Sequence, residues 1–322
     1  MSFWKQSPGP HWSHSIESVW KGPVAPFLFQ QEFPKPSFSY QVLRSQDAAE
    51  VVLLLRNHYQ TFPRSRSSLS AAQIQSYLAK GWIGIGIRGG VDAILVGIVF
   101  SRPLGHLYFT NTPLDGNSTA GMVDFFCVHK DYRGHGLGSR LLHALAYETS
   151  LEKRLIHFFQ REGLPLRLLP PVWTSSYVWR RRTVPMPVNL SQYVEKAPAL
   201  PRGHALWNRP SAPSETAIYE CRAFPNPIYV AVTDLFHVSV PDNLSMGEVS
   251  WVWYDKQKGA FTSDQLKRVI ETVTDMCPYD MIFMDKTLPH DSSLWTQDSA
   301  YSYYSFNLHP GQFLTLKPSF TF

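Results

Sequence analysis

Helical and strand-like spacings of apolar residues alternate along this chain. Residues 46–60 (QDAAEVVLLLRNHYQ) bring Val51, Leu54 and Leu55 to one side of a 3.6-residue turn and predict an amphipathic helix. Residues 68–82 (SLSAAQIQSYLAKGW) predict a second helix, with Ser70 as its N-cap. Strand-like runs follow at Trp82–Arg88 and Ala93–Ser101, joined by Gly89-Gly90-Val91-Asp92, a hairpin signal. A third run covers Gly105–Asn111, and a fourth covers Met122–Val128. Leu137, Leu141 and Leu145 then restore the helical period, and residues 155–160 (LIHFFQ) read as the next strand.

The pattern fades on both sides of this block. Residues 1–40 carry Pro, Trp and Phe without a period and read as an extended arm that wraps the domain. From Pro165 to Pro213 the chain is dominated by Pro, Arg and Trp. A second strand-rich region runs from Ala217 to Phe322, with strands expected at 228–233, 236–240, 248–254, 281–284 and 301–307. Its helix is expected at 263–276, capped by Ser263, with Leu266, Val269, Ile270 and Val273 on one face. The element order of this region echoes the later part of the first, without a sequence repeat.

Composition narrows the class. The 322 residues suffice for one large domain or two medium ones, and 44% apolar content is that of a globular protein. The 20 Phe, 15 Tyr and 10 Trp suit either a large apolar pocket or an aromatic core. A formal charge of +5 is a mild excess that would suit coenzyme phosphates or a nucleic acid, but charge at this level is usually a matter of solubility; no nucleic-acid partner is expected. Cys127, Cys221 and Cys277 match neither a disulfide framework nor a zinc pattern, which fits a reducing compartment; no metal is expected. No apolar run reaches membrane-span length, and MSFWKQSPGP does not read as a signal peptide.

The chemistry concentrates in residues 122–142. There a strand delivers Arg133-Gly134-His135-Gly136-Leu137-Gly138 into a helix N-terminus. The first N–H groups of a helix lack internal acceptors, and glycines let that backbone approach a phosphate. No Gly-Lys-Ser/Thr ends the loop, so it is not a Walker loop, and its glycines are spaced by two, unlike a dinucleotide fingerprint. A strand-to-helix turn without a ligand is the plain alternative. The pattern R-x-x-G-x-G resembles the pyrophosphate loop of the GCN5-related N-acetyltransferase superfamily, which binds acyl-coenzyme A.

A longer resemblance is narrower. Phe125-Phe126-Cys127-Val128-His129-Lys130, with Arg133, is similar to the "F-L-C-V-H-K-x-x-R" signature of the glycylpeptide N-tetradecanoyltransferase (N-myristoyltransferase) family. Other segments follow the family's order. They are Phe3-Trp4-Lys5-Gln6-Ser7-Pro8-Gly9-Pro10, Gly22-Pro23-Val24-Ala25-Pro26, Pro170-Pro171-Val172 with Trp179, Val232-Thr233-Asp234, Trp251-Val252-Trp253-Tyr254, and Tyr303-Tyr304-Ser305-Phe306-Asn307.

The resemblance implies an α/β mixed-sheet fold of two fused acetyltransferase-like (GNAT) halves, the second reduced. Residues 1–40 would be an arm on the coenzyme, 41–190 the acyl-CoA half and 191–322 the acceptor half. It implies a cytoplasmic monomer without an integral membrane segment or permanent cofactor. Its co-substrate would be myristoyl-CoA, and its partners proteins with an N-terminal glycine. The backbone amides of Phe125 and Phe126 would form the oxyanion hole at a strand bulge, and the carboxylate of Phe322 would be the base. Phe3, Trp4, Cys127, Val128, Arg133, Gly134, His135, Gly136, Leu137 and Gly138 would hold the coenzyme. The acceptor would meet Asp124, Arg161, Gly163, Trp179, Arg180 and Asp285.

Some positions depart from the family. No carboxylate appears in the loop from Tyr59 to Arg66 where the family has an acidic run. Asp124 stands for its Asn, Arg161 for its Thr and Arg180 for its His. Arg64, Arg66, Arg161 and Arg180 therefore predict acceptors that are neutral or acidic. Two further readings follow from the lost acceptor-side residues and from the superfamily loop: a catalytically silent acyl-CoA-binding protein, and an acetyltransferase using acetyl-CoA.

Overall fold

The structure is a computed structural model that describes residues 17–18, 38–59, 65–105, 107–109, 112–113, 119–162, 171, 173–182, 192–193, 206–208, 216–254, 259–306 and 308–309. Its elements are β1 (Phe38–Val42), α1 (Ala48–His58), β2 (Ser65–Ser67), α2 (Ala71–Ala79), β3 (Ile83–Gly89), β4 (Ile94–Gly105) and β5 (Thr119–Val128). There follow α3 (Leu137–Leu151), β6 (Arg154–Glu162), β7 (Trp173–Arg181), β8 (Thr216–Cys221), β9 (Ile228–Ser239) and β10 (Ser245–Tyr254). The last are α4 (Ser263–Met276), β11 (Met281–Asp285) and β12 (Thr296–Phe306).

Among the described residues, one mixed sheet of 13 strands runs in the order Gln192–Tyr193, β8, β9, β10, β11, β7, β12, β6, β5, β4, β3, β1, with β2 added on β9. Two pairs are parallel, β5·β6 and β10·β11, and each is bridged by a helix, α3 and α4 respectively. The two halves thus repeat one motif: antiparallel strands, a crossover helix and a parallel strand. Each half also gives its next strand to the other. β7 follows β6 in sequence but pairs with β11, and β12 follows β11 but pairs with β6. β7 and β12 meet each other at the centre.

Burial explains the layers. In β4, Ile98 and Phe100 pack under α1 and α2 with Leu54, Leu55 and Ile74. Val96 and Val99 pack with Leu137, Leu141 and Leu145 of α3. In the second half, Val269, Ile270 and Val273 of α4 cover Val230, Val249 and Ile282. Each aliphatic side chain so buried contributes roughly 1.5–3 kcal/mol. The opposite face of that half gathers Tyr177, Met246, Phe283, Tyr301 and Tyr303 and looks toward the junction.

The helices expected at 46–60, 68–82 and 263–276 are present, and Ser70 caps α2 through a reciprocal box with Gln73. Several expectations need correction. The cap of α4 is Thr262, not Ser263, because Thr262 and Gln265 satisfy each other's backbone N–H. Residues 228–233 and 236–240 belong largely to one strand, β9, bent where Phe236 takes φ +54°. Leu107–Phe109 joins a small three-stranded sheet with Thr112–Pro113 and Leu206–Asn208, so it does not extend the main one. The unperiodic stretch from Pro165 to Pro213 contains the central strand β7. Both faces of β7 are covered, which removes the alternation that would have marked it. Phe38–Val42, whose start falls in the expected arm, is the edge strand β1. Among the described residues no helix is long and apolar enough to cross a membrane.

Candidate functional site

The site starts at an irregularity in β5. Ile98 pairs with Cys127 and Phe100 with Asp124, so Val99 faces both Phe125 and Phe126. This is a β-bulge at the position the resemblance implies. Phe125 adopts φ +50°, a conformation that costs a bulky residue of order 1–3 kcal/mol and persists only where packing over-determines it. The packing is aromatic: Phe125 stacks on Trp82 with centroids 5.8 Å apart and meets Phe100 edge-on at 5.8 Å. Phe126 turns outward, 43% exposed, and lies on Gly138, where a Cβ would come within 2.9 Å of its ring.

The bulge coincides with a parting of strands. β5 pairs with β6 from Thr119↔Arg154 to Val123↔Phe159 and no further, while β6 pairs along its other edge with β12 from His157 to Glu162. Asp124–Val128 therefore borders an opening in the sheet.

Beyond the bulge, residues 133–138 form the glycine loop that leads into α3. Gly134 and Gly136 take φ +82° and +75°, and among the described residues no atom beyond their chain neighbours lies within 4 Å of where a Cβ would stand at either. Gly136 caps α3 without a side-chain hydrogen bond, and the first turn carries no acidic residue. The leading amides of α3 therefore have no acceptor within the helix and no side-chain cap at Gly136. Arg133 stiffens the loop rather than reaching outward: its Nε donates to the Val128 carbonyl at 3.1 Å and its Nη2 to that of His58 at 3.0 Å. The His58 and His129 rings meet at 4.0 Å. Burial, followed by His129, Arg133 and Lys130, depresses the His58 pKa, which marks the neighbourhood as electropositive.

On the other side of Phe125 lies a cavity of about 160 Å³ at the junction of the halves. Tyr59, Tyr77, Trp82 and Phe125 line its first-half wall, with Arg102 and Asp124. Tyr177, Asp234, His237, Glu248 and Phe283 are among those that line the other. The Arg102 Nε donates to Asp124 Oδ2 at 2.8 Å, and its guanidinium lies 5.9 Å from the Trp82 ring centroid. Burial lowers the His237 pKa, and its Nδ1 is 2.7 Å from the Leu235 carbonyl. Tyr177 is hydrogen-bonded to both Tyr303, at 3.0 Å, and Glu248. Burial, then the Glu248 charge, raises the Tyr177 pKa well above its usual value.

Several expected site residues lie elsewhere or act otherwise. Arg180 is not among the residues that line the cavity. It alternates with Tyr177 and Trp179 onto the α4 face, where its guanidinium binds Asp275, Thr274 and the Glu271 carbonyl and stacks on Trp295 at 5.3 Å. Asp285 is buried at the end of β11, accepting from Ser175 Oγ and from the N–H and hydroxyl of Thr287. Arg161 is exposed near the end of β6, away from the cavity lining, and Trp179 packs on Phe283. Cys127 is buried, its thiol pushed up to about 12, and the Leu137 side chain is core. Only the backbone of these two is available to a ligand. His135 is exposed at the loop, and Val128 packs beside α3. Phe3, Trp4, Gly163 and Phe322 lie outside the described residues.

Arg102, Tyr177 and Glu248 were not singled out from the sequence. Glu248 had a signal, a lone carboxylate within a strand of large apolar residues (MGEVSWVW), which calls for a buried partner. The other two are legible only through the topology that joins β4, β7 and β10 at one junction.

Residues 53–161 match the Acetyltransferase (GNAT) family. No curated protein matches the chain in sequence. In fold, the chain is similar to Saccharomyces cerevisiae N-myristoyltransferase with bound myristoyl-CoA. One such structure has TM-score 0.66 and 14% identity, over 99% of this chain and 95% of that one. Another has TM-score 0.67 and 15% identity, over 99% and 91%. A GCN5-related glucosamine N-acetyltransferase region from a fungal multi-domain β-N-acetylglucosaminidase is similar at TM-score 0.51 and 9% identity, over 85% of this chain and 38% of that one.

Proposed function

From a GNAT acetyltransferase domain within an N-myristoyltransferase-like fold, we propose that the chain is an acyl-CoA-dependent N-acyltransferase. It moves a myristoyl group from myristoyl-CoA to the N-terminal glycine amine of acceptor proteins. The observation that carries this reading is the Phe125–Phe126 bulge. One of its residues faces the cavity, and the other covers the helix start that ends the glycine loop.

In this reading the amides of residues 134–138 and the N-terminus of α3 hold the coenzyme pyrophosphate. The amides of Phe125 and Phe126 receive the thioester oxygen as it becomes an oxyanion, each such donor being worth roughly 3–4 kcal/mol in the transition state. The acceptor amine enters the cavity from the second half. The new C–N bond forms as the C–S bond breaks and the coenzyme leaves as its thiol. The enzyme acts as a cytoplasmic monomer with no resident cofactor.

The cavity has about the volume of one that holds a single benzene, so it serves the reacting ends while a long acyl tail lies beyond it. The same volume favours a second reading, a short acyl donor. Titration calorimetry with myristoyl-, palmitoyl- and acetyl-CoA separates the two. Twelve extra methylenes offer up to about 10 kcal/mol of gross apolar stabilisation, so a long-chain enzyme binds myristoyl-CoA orders of magnitude more tightly than acetyl-CoA. Equal affinities select the short-chain donor. Tight donor binding without turnover on any glycine-initiated peptide makes the chain a silent acyl-CoA binder.

A further inference from the structure

An oxyanion hole made of backbone amides works only while those amides are aimed, so a side chain that aims one contributes to the rate without touching the reacting atoms. We infer that Phe126 is a positioning residue: its ring, lodged end-on against Gly138, holds the Phe126 amide toward the thioester oxygen. The inference rests on the acyl-transfer reading above and adds to it a role for a side chain.

The strand sets the direction. Phe125 and Cys127 pack on the α1–α2 face of β5 and Val128 on the α3 face, so alternation sends the Phe126 side chain toward α3. There it reaches the first turn of the helix. Among the described residues, the three atoms nearest to a Cβ built on Gly138, beyond its chain neighbours and the helix backbone, all belong to the Phe126 ring. Cζ lies at 2.9 Å, and Cε1 and Cε2 each lie at 3.8 Å. The equal outer distances mean that the ring meets Gly138 tip first, as a strut. Phe126 is 43% exposed, so the contact is not the burial of a core side chain.

The glycine itself points to the ring. Gly134 and Gly136 answer a positive φ, whereas Gly138 lies within α3 and does not take one. Within a helix glycine is less favourable than alanine, because its backbone loses more freedom on ordering. What glycine supplies at this position is room for the Phe126 ring.

The N–H of Phe126 belongs to the rigid peptide plane that joins it to Phe125. The tilt of that plane is set by ψ of Phe125 on one side and φ of Phe126 on the other. Phe125, at φ +50°, is held by its contacts with Trp82 and Phe100. The Phe126 ring on Gly138 holds the far side. A ring that is shortened or displaced lets the plane rock, and a donor turned out of line loses much of its hydrogen bond to a developing oxyanion. The same contact ties the bulge to the start of α3, so the amides that receive the pyrophosphate and those that receive the oxyanion share one frame.

The test is an exchange of size between the two positions. The acyl-transfer rate is read in a single turnover on a glycine-initiated peptide. Donor affinity is read by calorimetry with whichever of myristoyl-CoA and acetyl-CoA the wild type binds more tightly, and folding by Tm. Phe126→Leu withdraws the tip from Gly138 and is expected to lower the single-turnover rate about 10- to 100-fold while donor Kd stays within about threefold. Gly138→Ala drives a methyl into the ring and is expected to lower that rate about tenfold, although its Tm stays at or above that of the wild type because alanine favours the helix. The double variant sets the new methyl in the space that leucine has left and is expected to recover most of the wild-type rate, a strongly non-additive cycle. A contact that serves packing alone lowers Tm and leaves the rate of the folded protein unchanged. One that serves donor binding alone raises donor Kd and leaves the rate at saturating donor unchanged. Either result, or losses in rate that simply add in the double variant, overturns the inference while acyl transfer stands. If the wild type neither binds nor transfers any acyl group, the acyl-transfer reading falls and this inference with it.

Discussion

Removing Arg102 tests whether the junction cavity is organised by charge. Its Nε lies 2.8 Å from Asp124 Oδ2, and the two side chains retain 11% and 26% of their exposure. At an effective dielectric of about 20, unit charges 4 Å apart attract by about 4 kcal/mol. Desolvation and the quarter exposure of Asp124 take back more than half, leaving about 1–2 kcal/mol of net coupling. Arg102→Met keeps the aliphatic stem against Trp82 but strands Asp124 beside Asp234 and Glu248, and is expected to cost about 2–3 kcal/mol. Asp124→Asn removes the stranded charge and is expected to cost about 1 kcal/mol. The double variant is then less damaged than the sum by the coupling energy. Urea denaturation of the four proteins at low salt measures this cycle. Additivity within about 0.3 kcal/mol would refute the argument that the pair, rather than packing, holds the first-half wall.

Other perturbations separate parts of the site. Gly136→Ala forces a side chain into φ +75°, costs about 1–2 kcal/mol, and is expected to weaken coenzyme binding more than its stability loss explains; calorimetry with CoA itself reads this. Arg180→Met is expected to cost about 2–3 kcal/mol by stranding Asp275, yet to leave the ratio of kcat/KM for acidic and basic peptides unchanged, because Arg180 lies under α4. His157 is fully buried and held neutral, its pKa pushed down to about 3 by burial and then by Arg154. Between about pH 6.5 and 3 the unfolded chain binds a proton that the folded ring refuses, so stability falls with pH by up to about 5 kcal/mol. His157→Asn is expected to flatten that limb in a urea midpoint series; an unchanged limb contradicts the assignment.

The amino-acid pattern carried the local elements and missed the long-range ones, for physical reasons. α1, α2 and α4 are one-face amphipathic, so Leu54, Ile74 and Ile270 announce them. The glycine loop is legible because Gly134 and Gly136 need positive φ. β7 escaped because Val178 and Arg180 face α4 while Tyr177 and Trp179 face the junction, leaving no polar side to alternate with. Arg180, which the resemblance aligns with the family's His, lies on the α4 face of the same strand, a placement that only the topology reveals. Glu248 and Tyr177 are far apart in sequence, and only the exchange of β7 and β12 between the halves brings them together.

The central claim is that this fold transfers an acyl group from coenzyme A to an amine. Mass spectrometry of glycine-initiated peptides incubated with the protein and myristoyl-CoA tests it most directly, with a boiled sample as control. The account predicts a mass gain of one myristoyl group on the N-terminal amine, with one equivalent of free thiol released per peptide modified. Thiol release without peptide modification, or neither product with any acyl-CoA tried, contradicts it.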